Sequence, residues 1–205
     1  MKKIVLASKS PRRQELLGML GIPFEVKVSD TEEIITHTDP AKVTEELSLQ
    51  KAEAVAREIT EAIVIGADTV VAVDDKILGK PKDKEDARAI IHLLQGRSHM
   101  VYTGVTILVK GNDVQHIETF SEGTKVKVAT MSEEEIETYI ASEEPYDKAG
   151  AYGIQGIFSK FIEGIEGDYF NVVGLPVHHL YQKLREKTYL EKTYLAAVRN
   201  KNFSQ

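Results

Sequence analysis

The chain has 205 residues, and its 26 Lys+Arg against 32 Asp+Glu leave a formal net charge of −6; that length suits one α/β domain or one domain with two lobes, and the balance excludes a surface built throughout to lie along nucleic acid. The absence of cysteine removes disulfides, thiolate nucleophiles and cysteine-based zinc sites. No segment approaches the ~20 apolar residues of a membrane span, and the apolar run in MKKIVLAS stops at a charged turn well short of a signal-peptide core, so a cytoplasmic protein with neither membrane nor nucleic-acid partner is expected.

In chain order, KIVLA (3–7) reads as a buried strand, and Ser10 followed by Pro11 reads as the N-cap and first position of a helix over roughly 11–20, closed near Gly21. FEVKV (24–28) alternates like a strand. Pro40 to Ile59 places Val43, Leu47, Ala54 and Val55 on one face of a long amphipathic helix that also carries Lys51. AIVIGA (62–67) is a continuous apolar run of strand length, and Asp74 and Asp75 turn a hairpin after it. A helical pattern over 83–95 stops at Gly96. Two β-rich segments, 99–110 and 114–130, pair across GND. Ser132 with Glu135 forms a capping box. FNVVGLP (170–176) reads as a late strand, and Pro176 opens a last helix. Helices alternate with both βα units and hairpins, which predicts a mixed sheet flanked by helices. The tail from about 186 carries EKTYL twice, a local duplication in a terminal helix. No linker interrupts the periodic segments, so residues 1–205 are expected to form a single domain.

Three stretches carry unusual chemistry. In SKSPRR, serine hydroxyls and two arginines stand where a helix N-terminus presents unpaired N–H groups, a cradle for an oxyanion such as phosphate. The alternative is a capping serine beside solvated arginines, although positive side chains in a first turn oppose the helix dipole. In IGADTVV, Asp68 follows an apolar strand, where a carboxylate can hold a divalent cation or take a proton from water, or can simply end the strand. LGKP fails as a Walker loop, because Asp74 stands where a glycine is needed and Pro81 replaces Ser or Thr, leaving Lys80 as a point charge or a surface lysine. In EPYDKAGAYGIQG, Gly150, Gly153 and Gly156 allow close backbone approach, and Gln155 offers a donor and an acceptor suited to a base edge or to nearby backbone. His178 and His179 are helix neighbours that do not share a face, so they are not expected to bind metal.

Taken together, LASKSPRRQELL, Lys51, IGADTVV, LGKP, VYTGV, EPYDKAGAYGIQG and GDYFNVVGLP resemble the Maf family of nucleoside triphosphate pyrophosphatases, in order from residue 4 to about 180. The resemblance implies a two-lobed, Maf/ITPase-like α/β fold: a mixed, elongated β-sheet flanked by helices, with a central substrate cleft. It implies hydrolysis between the α and β phosphates with a divalent metal, Mg²⁺ or Mn²⁺, and a homodimer as the assembly. Onto this sequence it carries a proton acceptor at Asp68, phosphate contacts at Ser8, Arg13, Lys51 and Lys80, and Glu33 beside Asp68 as metal ligands. Arg12, Thr69 and Gln155 match the subgroup acting on dTTP and UTP. A pyrophosphatase for 7-methyl-GTP or other modified purines, and a non-catalytic nucleotide-binding regulator of septum formation, are the alternatives.

Overall fold

The computed structural model describes residues 2–28, 32–74, 76–111 and 115–186. Seven strands form one sheet: β1 (Ile4–Leu6), β2 (Phe24–Val26), β3 (Ala62–Val73), β4 (Lys76–Leu78), β5 (Ser98–Lys110), β6 (Gln115–Val128) and β7 (Ile162–Glu166). The main path runs β2-β1-β3-β5-β6-β7, with β4 paired to β3 alone. β1 is parallel to β2 and β3, and the remaining pairs are antiparallel. The sheet is therefore mixed, as expected. Among the described residues six α-helices flank it: α1 (Pro11–Gly18), α2 (Pro40–Arg57), α3 (Lys84–Leu94), α4 (Glu133–Ile140), α5 (Tyr169–Val173) and α6 (Val177–Glu186).

β3 is the spine. Its first half puts Ile63, Ile65 and Ala67 into a core with Leu16 and Leu17 of α1 and Leu180 and Leu184 of α6. Its second half puts Val71 and Val73 into a separate core with Ile90, Ile91 and Leu94 of α3 and Ile136 and Ile140 of α4. These are the two largest hydrophobic clusters among the described residues. Asp68 and Thr69 fall where the strand crosses from one to the other.

The edge of β3 is interrupted at the same place. β1 pairs with Ile63–Ile65, the Ala7 N–H reaches the Ile65 carbonyl, and β4 pairs with Val71–Val73. Between them, among the described residues, no strand covers the outer edge over 66–70. Side chains from both faces of the sheet can meet there, since Asp68 and Thr69 point to opposite faces.

α2 lies unusually close to the sheet. A Cβ built on Gly66 would stand 2.2 Å from the Ser48 carbonyl oxygen, and one on Gly104 2.2 Å from the Thr44 backbone. Glycine at both positions, with Ser48 bonded to Thr106 at 2.8 Å and Thr44 to Ser121 at 3.1 Å, lets the helix backbone rest on the strands. That contact brings Lys51 over Asp68.

Several expectations change. The strand expected to end at Ala67 continues to Val73, because β5 pairs with it from Ala62 to Ala72 and outweighs the local polarity of Asp68 and Thr69. FNVVGLP is not a strand. Asp168 caps α5 by accepting the Phe170 N–H at 2.8 Å, and Gly174 ends it at φ 129°, so a short apolar run that periodicity cannot assign is helical. Ser10 stands at the N-cap of α1 without a side-chain cap bond, and its own N–H donates to the Ser8 hydroxyl at 3.2 Å. α1 ends at Gly18 and β2 at Val26, each earlier than expected. The capping box of Ser132 and Glu135 is present, and Leu180 closes the first turn of the last helix on Pro176. The 3₁₀ turns at Glu144–Asp147, Ala149–Ala151 and Ile157–Phe161, and β7 itself, escaped the pattern. Asp75, the GND turn from Asn112 and the EKTYL tail from Lys187 lie outside the described residues.

Candidate active site

On the α2 face of the open edge, the Lys51 ammonium pairs with Asp68 Oδ1 and, at 3.0 Å, with Glu33 Oε1. Asp68 is mostly buried, its side chain 13% exposed. Its Oδ2 makes no hydrogen bond among the described residues and remains available. Glu33 comes from the segment before α2, which is strapped to that helix: Gln50 bonds both the N–H and the carbonyl of Ile34, and Glu46 takes the N–H and hydroxyl of Thr36. Glu46 and Gln50, four residues apart, share one flank of the helix next to Lys51, so folding α2 also delivers Glu33.

On the opposite face, Arg13 of α1 reaches across the end of β1. Its Nε donates to the Gly174 carbonyl at 2.9 Å, Nη1 to Ser8 Oγ at 3.4 Å and Nη2 to Thr69 Oγ1 at 3.0 Å. Those bonds use three of the five guanidinium N–H groups and leave two. Burial pushes the Arg13 pKa below its ordinary value, opposed by the carboxylates of Asp68 and Glu33 and assisted by Arg12. The arginine stays charged, and the same field places it in electrostatic reach of both carboxylates across the edge. This explains a cation in a first helical turn: surrounding oxygens and carboxylates outweigh the unfavourable dipole.

Arg13 is held in turn by a buried polar chain. Thr69 and Thr103 share a hydrogen bond at 2.9 Å, Thr103 donates to the Asn171 carbonyl, and the Asn171 amide donates to Val101 and Thr124. The polar side chains of GDYFNVVGLP thus serve the architecture around Arg13. Asn171 carried no such signal in the sequence, where it stands inside a run read as a strand.

Beside this corner opens a cleft of about 200 Å³ whose lining includes Arg12, Tyr152, Gln155, Lys148 and Glu144. The Gln155 side chain is exposed there and makes no hydrogen bond among the described residues. Lys148 is only 11% exposed and donates to the Glu144 carbonyl at 2.6 Å and to Asp147 at 2.5 Å. Tyr152 bonds His99 Nε2 at 2.7 Å behind the cleft wall. Lys80 is exposed, one residue after the Gly79 carbonyl that accepts the Gly150 N–H at 3.0 Å, and no bond holds its side chain among the described residues.

The structure therefore gathers Ser8, Arg13, Lys51, Asp68, Thr69 and Glu33 at the open edge of β3, with Arg12 and Gln155 in the adjoining cleft. Lys80 stands apart from both sets by any bond the structure shows. Sequence reading missed Glu144, Lys148, Tyr152 and Asn171; Tyr152 and Asn171 act through partners distant in the chain, and Glu144 and Lys148 through bonds to main-chain groups that no residue pattern displays. His179 bonds Glu122 at 2.8 Å and stacks on Phe120. No group of three or more His, Asp or Glu side chains placed to hold a metal occurs among the described residues. No helix among them is long and apolar enough to cross a membrane.

A family model described as Maf-like protein matches residues 3–187. A dTTP/UTP pyrophosphatase of Bacillus cereus is 49% identical over 91% of this chain and 96% of its own length. One from Bacillus cytotoxicus is 51% identical over the same shares. Among solved structures, the Staphylococcus aureus Ham1 protein has the same fold, with a TM-score of 0.50 at 18% identity over 78% of this chain and 80% of that one. The residues that meet at the interrupted edge of β3 all lie within the matched span, and the chain belongs to the Maf family.

Proposed function

We infer that this chain is a nucleoside triphosphate pyrophosphatase that hydrolyses dTTP and UTP to the monophosphate and pyrophosphate. The observation that carries the reading is the convergence of Asp68, Lys51, Glu33 and Arg13 at one gap in the sheet, beside a cleft that presents Gln155. The relatives at about half identity bear the corresponding name.

In this reading the nucleobase enters the cleft of Arg12 and Gln155, and the triphosphate runs toward Ser8 and Arg13. The N–H groups of Arg12 and Arg13 at the start of α1 have no protein acceptor among the described residues and add to the anion site. Two unused guanidinium N–H groups of Arg13, the Lys51 ammonium and the exposed Lys80 neutralise the phosphates as charge builds on the leaving group. Asp68 Oδ2 takes a proton from a water that attacks the α phosphorus in line. The bond from that phosphorus to the bridging oxygen breaks, and the electron pair leaves with pyrophosphate.

Asp68 and Glu33 already share one cation, the Lys51 ammonium, and so form an oxygen donor pair of the kind Mg²⁺ uses together with substrate phosphates. The residues fit a divalent ion, Mg²⁺ or Mn²⁺, held by Asp68 and Glu33. Bound there, it would supply Lewis-acid neutralisation of the phosphates. Lys51 would then be free to move from the carboxylates to a phosphate oxygen.

Gln155 discriminates the base. Its amide can satisfy the N3–H and an adjacent carbonyl of uracil or thymine together, whereas adenine has no such N–H beside a carbonyl and guanine carries one only on a bicyclic ring larger than the pyrimidine. Modified pyrimidines such as 5-methyl-UTP keep both groups and are accepted. We place the protein in the cytoplasm, as a homodimer. Pyrophosphate release by purified protein with Mg²⁺, across common and modified triphosphates, tests the assignment. Fastest turnover of dTTP and UTP is expected, and equal or faster turnover of 7-methyl-GTP overturns it.

A further inference from the structure

We propose that Glu144 is a positioning residue for base selectivity: its carboxylate fixes the turn that presents Gln155. The proposal rests on the reading that Gln155 faces the base, and adds what holds Gln155 there.

Gln155 has no side-chain tether among the described residues and belongs to an irregular segment, so its aim depends on its backbone. Gly156, next in the chain, donates to the Gly153 carbonyl at 3.2 Å. Immediately beyond, Glu144 Oε2 accepts the Ile157 N–H at 2.7 Å, and Oε1 lies 3.4 Å from the Phe158 nitrogen. These are the first N–H groups of the 3₁₀ turn Ile157–Phe161, which otherwise lack acceptors. A carboxylate with two oxygens can serve both, and it also receives the Tyr139 hydroxyl at 3.3 Å.

The other end of the clamp is equally fixed. Glu144 opens its own 3₁₀ turn after Glu143 at φ 64°, and its carbonyl is held by Lys148. The Tyr139 hydroxyl also bonds the Ala151 carbonyl at 3.0 Å, so one buried tyrosine joins the carboxylate to the backbone leading into the Gln155 turn. Gly156 shows how tightly the carboxylate is applied. A Cβ there would stand 2.2 Å from Oε1 and 2.4 Å from Oε2, so only glycine lets the side chain lie under the turn.

Steady-state kinetics on UTP, dTTP and GTP with wild type, Glu144→Ala, Glu144→Gln, Gly156→Ala, Gln155→Ala and the Glu144→Ala/Gln155→Ala pair test this. Glu144→Ala is expected to lower the UTP-to-GTP ratio of kcat/KM about tenfold, mostly through a raised KM for UTP, with kcat held within ~3-fold. Gly156→Ala, which displaces the carboxylate from the opposite side, should reproduce that loss, and Glu144→Gln, with one acceptor oxygen left, should fall between. The double variant should be no less selective than Gln155→Ala alone, because both changes act through one side chain. If Gln155→Ala loses selectivity while Glu144→Ala and Gly156→Ala keep the wild-type ratio, or lose kcat/KM equally on all substrates, the positioning role is refuted and the base-reading role stands. If Gln155→Ala itself keeps the ratio, base reading fails and this proposal with it. Should Glu144→Ala not fold, Glu144→Gln and Gly156→Ala decide between the same outcomes through the same ratio.

Discussion

The two halves of the candidate site are built in different ways. At the Asp68 corner the side chains other than Ser8, which stands in the turn between β1 and α1, project from a regular element or from a segment strapped to one: β3, α2, α1 and the loop tied by Gln50 and Glu46. At the Gln155 corner the backbone is a succession of 3₁₀ turns, held by side chains bonded to main-chain groups, namely Glu144, Lys148 and Tyr139. The first corner has its geometry set by backbone ladders and by a helix lying on glycines. The second has its geometry set by a few polar tethers. Chemistry that demands ångström placement of a base and a cation belongs on the rigid corner, while a surface that selects among bases can be carried by the tethered one.

The largest expected effect tests the rigid corner. Asp68→Asn keeps the size of the side chain and removes its proton affinity, so kcat for dTTP should fall by about 10²–10⁴, with little change in thermal stability. Lys51→Met, which removes the cation shared with Glu33, should cost about 10² in kcat/KM. Steady-state kinetics on both variants checks this, and Asp68→Asn with unimpaired turnover would remove the enzymatic role from this corner.

Much of that corner was legible in the sequence, for a physical reason. A serine-proline-arginine turn between strand and helix, an aspartate closing an apolar run and a lysine on an amphipathic helix are local signals. What the sequence could not display is the gap in the edge of β3, because it arises from where two other strands stop. For the same reason the run before Asp68 suggested a strand end when the strand continues. FNVVGLP was misread because a five-residue helix and a buried strand present the same short apolar run, and the deciding groups, Asp168 at the cap and Gly174 at positive φ, act through backbone geometry. In the tethered corner only Gln155 and the glycines stood out. His99 acts through a partner far away in the chain and Glu144 through main-chain N–H groups, and no local pattern announces either pairing.

The tethered corner should be the one that acid loosens. His99 is 3% exposed, and burial, with a smaller contribution from the Arg97 charge, lowers its pKa from 6.5 to about 4. Its Nδ1 is buried without a partner among the described residues, so protonation adds a charge in an apolar interior directly behind Tyr152. The neutral form is therefore favoured by folding. Its contribution is fully present above the unfolded-state pKa near 6.5 and is lost as pH falls from there toward 4. The span amounts to roughly 3 kcal/mol. Urea unfolding at pH 7, 5.5 and 4.5 should show wild type losing stability faster than His99→Gln across that window. Parallel curves for the two proteins would mean that His99 is not the group that titrates.

The smallest effects compare one change made in both corners. Alanine at Gly104 would put its Cβ 2.2 Å from Thr44 backbone atoms, and at Gly153 2.9 Å from the Cδ and Cε of Lys148. Neither glycine has a positive φ, so the difference lies in what must give way. Thr44 belongs to the body of α2 and cannot yield without lifting the helix off the sheet. Gly104→Ala should therefore destabilise the protein by about 1–3 kcal/mol, and should also lower kcat, because the same displacement carries Lys51 away from Asp68. The Lys148 stem can change rotamer, so Gly153→Ala should cost less than about 1 kcal/mol. Any effect it has on turnover should appear in KM, since Lys148 touches the Gln155 corner alone. Thermal melts and dTTP kinetics on the two variants read both quantities. Equal destabilisation by the two alanines would show that the second corner is as rigid as the first.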